Sequence, residues 1–266
     1  PETNLFCADD VGALLEIFEI SQGANADGLL RALAELEFGA QTDANVALAR
    51  EWLAAHKDWT TSAVLAHLAA RAAPRRLVLP DTDAVLRIAD LKRLQRGFAD
   101  AAIIQLVRHP WTQGALLAHW LAERLFVAAD FRDFSVMPAA VDPQIAWYRT
   151  QRNLEMFLQP AYAARWQRVQ IETFDDAATA AEALSALCAG LGLDAAALVE
   201  APVPWSFAGF GPPAAAYGFE PELLEVLPPV PDAWGAARLA GPLSWRRDGK
   251  ALAAEVIELA ERYGYR

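Results

Sequence analysis

The run Ile103-Ile-Gln-Leu-Val107 is apolar but for one glutamine, and it stops abruptly at Arg108, His109 and Pro110. A helix-compatible stretch, Trp111 to Phe126, follows at once. This is the pattern of a strand delivering a cation to a βα turn. In open α/β sheets ligands bind beyond the carboxyl ends of the strands, so a guanidinium held there by a Pro-led turn is placed to hold a phosphate or carboxylate. The same placement suits a structural Arg that caps the edge of a sheet. A second group able to do chemistry is Glu172, Asp175 and Asp176, at the end of a short apolar segment. Paired carboxylates of this kind suit glycosidase chemistry or magnesium. Helix capping by Asp accounts for Asp175 and Asp176 equally well. His56, His67 and His119 each stand alone on a helical pattern, without the spacing of a shared metal site, and no metal centre is expected. Gly209 and Gly211 flank Phe210 and precede two prolines, which makes an irregular turn and not a dinucleotide fingerprint.

The segment Phe98-Ala-Asp-Ala-Ala-Ile-Ile-Gln-Leu-Val-Arg-His-Pro110 resembles the 3′-phosphate-binding segment of the sulfotransferase family. Pro1-Glu-Thr-Asn-Leu-Phe6 is similar to the residues soon after that family's phosphate loop, and Arg76-Leu-Val-Leu-Pro80 to the strand before the Arg-bearing one. Ala146-Trp-Tyr-Arg-Thr-Gln-Arg-Asn153, Arg168-Val-Gln-Ile-Glu-Thr-Phe174 and Leu187-Cys-Ala-Gly-Leu-Gly-Leu193 continue the same order. The resemblance runs from residue 1 to about residue 200, and is greatest to bacterial enzymes acting on polyketide or lipid-like acceptors. It implies a P-loop-like α/β fold, a three-layer parallel sheet with covering helices. It also implies 3′-phosphoadenosine 5′-phosphosulfate (PAPS) as donor, with Arg108 on its 3′-phosphate and Trp147 and Asn153 near the nucleotide. Glu2 becomes the candidate base that takes the proton of the acceptor hydroxyl, which burial would assist by raising its pKa. His109, beside the Arg, is a second catalytic candidate or a helix cap. Glu172 matches a position of structural character.

Three departures bear on activity. The Gly- and Ser-rich 5′-phosphosulfate loop occurs nowhere in the sequence. Its expected place precedes Pro1, so either the natural chain starts earlier or the protein has dispensed with it, and catalysis by these residues alone is expected to be poor. Leu116 stands where the family usually carries a Ser eight residues after the Arg, a loss of roughly 1.5 to 3 kcal/mol for a bond to a charged group. The Lys of the family's Asp-Lys-Ser-Pro segment has no counterpart near Leu77-Val-Leu-Pro80, and Asp81 and Asp83 follow instead. Two readings therefore stand: a sulfotransferase-like enzyme acting on a small-molecule hydroxyl, or a degenerate fold kept for binding an acyl carrier protein, a biosynthetic partner or an apolar metabolite.

The elements that must position these residues are legible in the spacing. Val11 to Phe18, Leu29 to Leu36 and Ala47 to Ala55 repeat apolar residues every three and four positions, a helical insertion spanning residues 11–73. Thr60-Thr-Ser62 opens the helix Ala63 to Ala73, and Pro74 follows it. Leu77 to Leu79 reads as a strand, and Thr82 or Asp83 as the cap of a helix reaching Arg96 and stopped by Gly97. Gln113 to Ala128 and Ile145 to Leu158 read as helices around a surface loop, Asp130 to Pro143. A short strand at Arg168 to Ile171, a helix Ala177 to Leu191 closed by Gly192, and a last helix, Leu252 to Tyr263, follow. Residues 200–250 are rich in Pro, Gly and aromatics and read as an irregular wrap over the core.

With 266 residues, 55% of them hydrophobic, the chain can bury one large core, and a single sulfotransferase-like domain over 1–266 is expected. Cys7 and Cys188 make no disulfide framework, which suits a reducing cytoplasm. No signal peptide and no apolar run of membrane-spanning length is present. A formal charge of -11 argues against nucleic-acid or anionic-membrane partners, and means that an anionic donor needs a local positive focus.

Overall fold

The computed structural model describes residues 3–20, 27–80, 84–122, 127–197 and 238–266. They divide into two compact units, one within residues 3–100 and one holding residues 101–197 and 238–266.

The first unit is helical. A 3₁₀ turn, Leu5–Cys7, leads into α1 (Val11–Ile20), α2 (Asp27–Phe38), α3 (Asp43–Ala55) and α4 (Thr61–Ala72). The starts follow local chemistry. Thr42 Oγ1 accepts from Asn45 N–H at 3.2 Å ahead of α3, and Thr60 Oγ1 accepts from Ala63 N–H at 3.1 Å ahead of α4. Leu14, Leu29, Leu33, Val46, Leu53 and Leu68 meet in one aliphatic core, as their helical spacing requires. Residues 76–80 form no regular element and pair with no strand among the described residues, so the strand expected at Leu77–Leu79 is not seen there. A strand needs a neighbouring backbone to satisfy its N–H and C=O groups; here Val78 is 77% exposed, and only Leu77 packs, against the helical core. The helix expected up to Arg96 is also shorter: a 3₁₀ turn, Ala84–Leu86, breaks at Arg87 before α5 (Ile88–Gly97) begins.

The second unit holds the sheet. Strand β1 (Ile103–Val107) leads through a tight turn into α6 (Pro110–Ala122), which starts earlier than the spacing suggests because Pro110 itself opens it. The expected surface loop carries two short strands, β2 (Arg132–Asp133) and β3 (Ala140–Val141), paired antiparallel. Next come α7 (Gln144–Asn153), a π-helical turn (Leu154–Leu158) and α8 (Gln159–Tyr162). Strand β4 (Trp166–Gln170) pairs parallel with β1, Ile103 opposite Trp166 and Val107 opposite Gln170. This parallel pair is the described extent of the expected sheet. Helix α9 (Ala177–Leu191) begins where Asp176 accepts from the N–H groups of Ala178 and Thr179, and ends at Gly192 in the left-handed region, φ 64°. The last helix, α10 (Ala254–Arg262), buries Val256 and Leu259 on one face, flanked by buried Leu252 and Tyr263. Of the expected wrap over 200–250, residues 200–237 lie outside the described residues, and 238–250 form successive bends and turns.

Residues 239–252 are tied to the β2–β3 strands by a buried ionic group. The Arg246 side chain, 1% exposed, donates to Asp133, Asp142 and Asp248, and Lys250 Nζ lies 2.6 Å from Asp133. Trp245 lies so close to α6 that a Cβ at Gly114 would sit 2.3 Å from its ring. No helix among the described residues is long and apolar enough to cross a membrane.

Candidate functional site

Val107, the last residue of β1, hands the chain to Arg108 and His109, and α6 begins at Pro110. Proline costs nothing there, because its missing N–H would be unsatisfied at a helix start anyway. The His109 ring caps the helix: Nδ1 accepts from Trp111 N–H at 3.1 Å, and Gln113 N–H bonds the His109 carbonyl at 2.9 Å. The proton of the imidazole therefore sits on Nε2.

Three distant side chains hold the main chain of this turn. Tyr265 Oη lies 3.1 Å from the Val107 carbonyl, Trp147 Nε1 donates to the Arg108 carbonyl at 2.9 Å, and His109 N–H donates to Glu172 Oε1 at 2.6 Å. Tyr265 Oη is also 3.1 Å from Glu172 Oε2, which closes a ring of bonds around the end of the strand. Arg108 itself is half-buried, and its guanidinium has no carboxylate partner among the described residues. It is near enough to Tyr265 to act on the phenol electrostatically. Burial and the Glu172 carboxylate push that phenol far above the usual tyrosine range, and Arg108 opposes them only in part, so Tyr265 remains a donor. Burial lowers the His109 pKa, against the opposing pull of Glu172 and the backbone of Arg266. The ring is 5% exposed and, in line with its capping bond, neutral near pH 7.

Of the other candidates, only Trp147 reaches this turn among the described residues. Trp147 is 2% exposed and belongs to the core of its unit beside Val107, Trp111 and Tyr263; Asn153 is buried at the end of α7. Glu2 lies outside the described residues, as do Asp81 and Asp83. Leu116 is buried in α6. Two of the three neighbouring carboxylates do different things: Asp176 caps α9, its pKa lowered chiefly by the backbone and side chain of Thr179, while Glu172 faces the Arg108 turn. His67 bonds Glu37 at 2.7 Å and His56 stacks on Trp52 in the helical unit. No group of His, Cys, Asp and Glu able to hold a metal occurs among the described residues.

Tyr265 is the residue that sequence reading missed. Nothing local marks it, since its partners are 93 and 158 residues away. The only signal was the polar handle on an aromatic three residues beyond an amphipathic helix.

No family model matches the chain, and no curated protein matches it. Two solved structures do. The sulfotransferase domain from the Synechococcus PCC 7002 olefin synthase superimposes with a TM-score of 0.67 at 22% identity, covering 100% of this chain and 84% of that one. The fold is that of a sulfotransferase domain. A second such domain, from the curacin biosynthetic pathway, superimposes at 0.65 with 18% identity, over 100% of this chain and 88% of the other. In this sulfotransferase fold the Arg108 turn occupies the carboxyl end of a parallel strand, where open α/β sheets bind ligands.

Proposed function

We propose that the protein is a sulfotransferase using PAPS, with Arg108 holding the donor's 3′-phosphate. The observation that carries this is an Arg with no carboxylate partner among the described residues, at the carboxyl end of a parallel strand, on a turn whose main chain is fixed on both sides. An anion is the natural partner for such a guanidinium, which offers up to five donors in a planar fork. The acidic chain makes this local cation the more significant, because it must attract a polyanion against an unfavourable net charge.

When bound, the donor supplies an activated sulfuryl group. The acceptor hydroxyl oxygen forms the new S–O bond, the S–O bond to the nucleotide phosphate breaks, and adenosine 3′,5′-bisphosphate leaves. The hydroxyl proton passes to a carboxylate, for which Glu2 is the candidate. Trp147 serves the nucleotide site by holding the Arg108 carbonyl, and Asn153, on the same helix, is the further residue placed near the nucleotide by the resemblance. His109, neutral and buried, orders the start of α6 and keeps its Nε2 proton. We read the helical unit as an insertion in one sulfotransferase-like domain. The acceptor is a hydroxyl on a small polyketide- or lipid-like molecule, free or presented by an acyl carrier protein; this rests on the two structural neighbours, which come from an olefin synthase and a biosynthetic pathway.

Calorimetric titration with adenosine 3′,5′-bisphosphate tests the reading without requiring turnover. Binding in the micromolar range that weakens more than tenfold in Arg108→Ala is the expected result, since loss of charge-assisted bonds costs about 1.5 to 3 kcal/mol. A folded protein that does not bind the bisphosphate, or binds it equally well in Arg108→Ala, would refute the assignment.

A further inference from the structure

The reading of Arg108 as an anion ligand raises the question of what keeps Arg108 in place, and the inference here rests on that reading. Val107, Arg108 and His109 each have one main-chain group bonded to a side chain 158, 39 and 63 residues away, respectively. Three successive residues held in this way are not required by the strand or by the helix, both of which have their own ladders. The bonds fix the short connection between them, from which the guanidinium projects.

We propose that Tyr265 is a positioning residue for the Arg108 site, acting through Glu172. Its single hydroxyl proton has two acceptors at equal distance, the Val107 carbonyl and Glu172 Oε2, both at 3.1 Å. The proton thus joins the end of β1 to the carboxylate that receives His109 N–H on the far side of Arg108. The His109 ring stands edge-on to Tyr265, with centroids 5.1 Å apart and planes at 78°, so the phenol packs directly against the cap. Burial keeps the phenol protonated, which preserves its role as donor across the ordinary pH range. Fixing a binding group before the ligand arrives removes an ordering cost that would otherwise reduce affinity. Tyr265 and Glu172 touch no anion themselves in this scheme. They set where the Arg108 main chain lies.

The test uses the full chain as wild type, Tyr265→Phe, Glu172→Ala and Glu172→Gln, with amide hydrogen exchange followed residue by residue and bisphosphate affinity measured alongside. Tyr265→Phe keeps the ring and removes only the shared proton. His109 N–H is expected to exchange about fivefold faster in it, and about tenfold or more faster in Glu172→Ala, while the amides of α9 keep wild-type rates. Affinity is expected to fall in the same order. Glu172→Gln restores most of both, because its amide oxygen still accepts from His109 N–H. Wild-type exchange at His109 together with wild-type affinity in Tyr265→Phe would overturn the proposal. So would an equal acceleration in α9, which would show general loosening and not local positioning. If the wild type itself fails to bind the bisphosphate, the Arg108 reading falls, and the exchange rates alone decide whether Tyr265 orders the turn.

Discussion

The two units of the molecule are held together in different ways. In the helical unit, Leu14, Leu29, Leu33 and Leu53 interdigitate in an aliphatic core, and ion pairs such as Arg96 with Asp9 lie on the surface. In the sheet-bearing unit, buried polar side chains make specific long-range bonds: Arg246 to Asp133 and Asp142, Gln144 to the Ala253 N–H at 2.8 Å, and Gln105 to Gln151 at 2.5 Å. Non-directional packing tolerates replacement by similar shapes, whereas a buried polar group is satisfied only by a partner in the right place. The lesson is that geometric demand is concentrated in the unit that carries the Arg108 turn.

Removing the centre of the ionic group should break the contrast most visibly. Arg246→Met leaves Asp133 and Asp142 buried without their guanidinium and is expected to cost about 3 to 5 kcal/mol in chemical denaturation. The same group makes the unit sensitive to acid. Hydrogen bonding to Arg246 holds the Asp248 carboxyl down to about 2, and Lys250, Ser135 and Arg246 hold that of Asp133 lower still. Because both folded pKa values lie below the unfolded one of about 3.9, their stabilisation is complete above pH 4 and is lost as pH falls toward 2 and below. Stability measured across that window should drop in the wild type, and the drop should shrink in Arg246→Met.

A smaller effect is expected from Gly114→Ala, whose new methyl would meet the Trp245 ring at 2.3 Å and force it to shift, at about 1 to 3 kcal/mol. Gly190→Ala provides the control that sharpens the point. Its Cβ would meet only the end of the Gln167 side chain, which can swing aside, so thermal unfolding should change little. Smallest of all is Leu33→Met in the helical unit, a volume-conserving exchange expected to cost under about 1.5 kcal/mol. A loss there as large as that of Arg246→Met would erase the distinction between the units.

The same division explains what could be read from the sequence. Helices α1 to α4, the Thr60 cap and the Gly192 stop are encoded within a turn or two of chain, so spacing and residue type reveal them. Strand β1 and the cation after it were visible for the same reason. The stretch Leu77–Leu79 has strand composition, but pairing depends on a neighbour that composition does not show. The break at Arg87 was hidden because apolar spacing does not report a change from 3₁₀ to α geometry. Within the site, Arg108 and the capping position of His109 follow from local pattern, while Glu172 was visible as a carboxylate without its direction. Tyr265 and Arg246 act across 93 residues or more, beyond the reach of any local window.

The clamp around Arg108 also dictates when the site can exist. The chain is synthesised from its N-terminus, and a contact between Val107 and Tyr265 closes a loop of 158 residues. Closing such a loop brings little reward until the intervening elements have packed. A nascent chain that has already made β1, α6 and β4 thus still lacks the hydroxyl that completes the turn. The Arg108 turn is completed only after translation has passed Tyr265, so its final geometry depends on the packing of every element between the two.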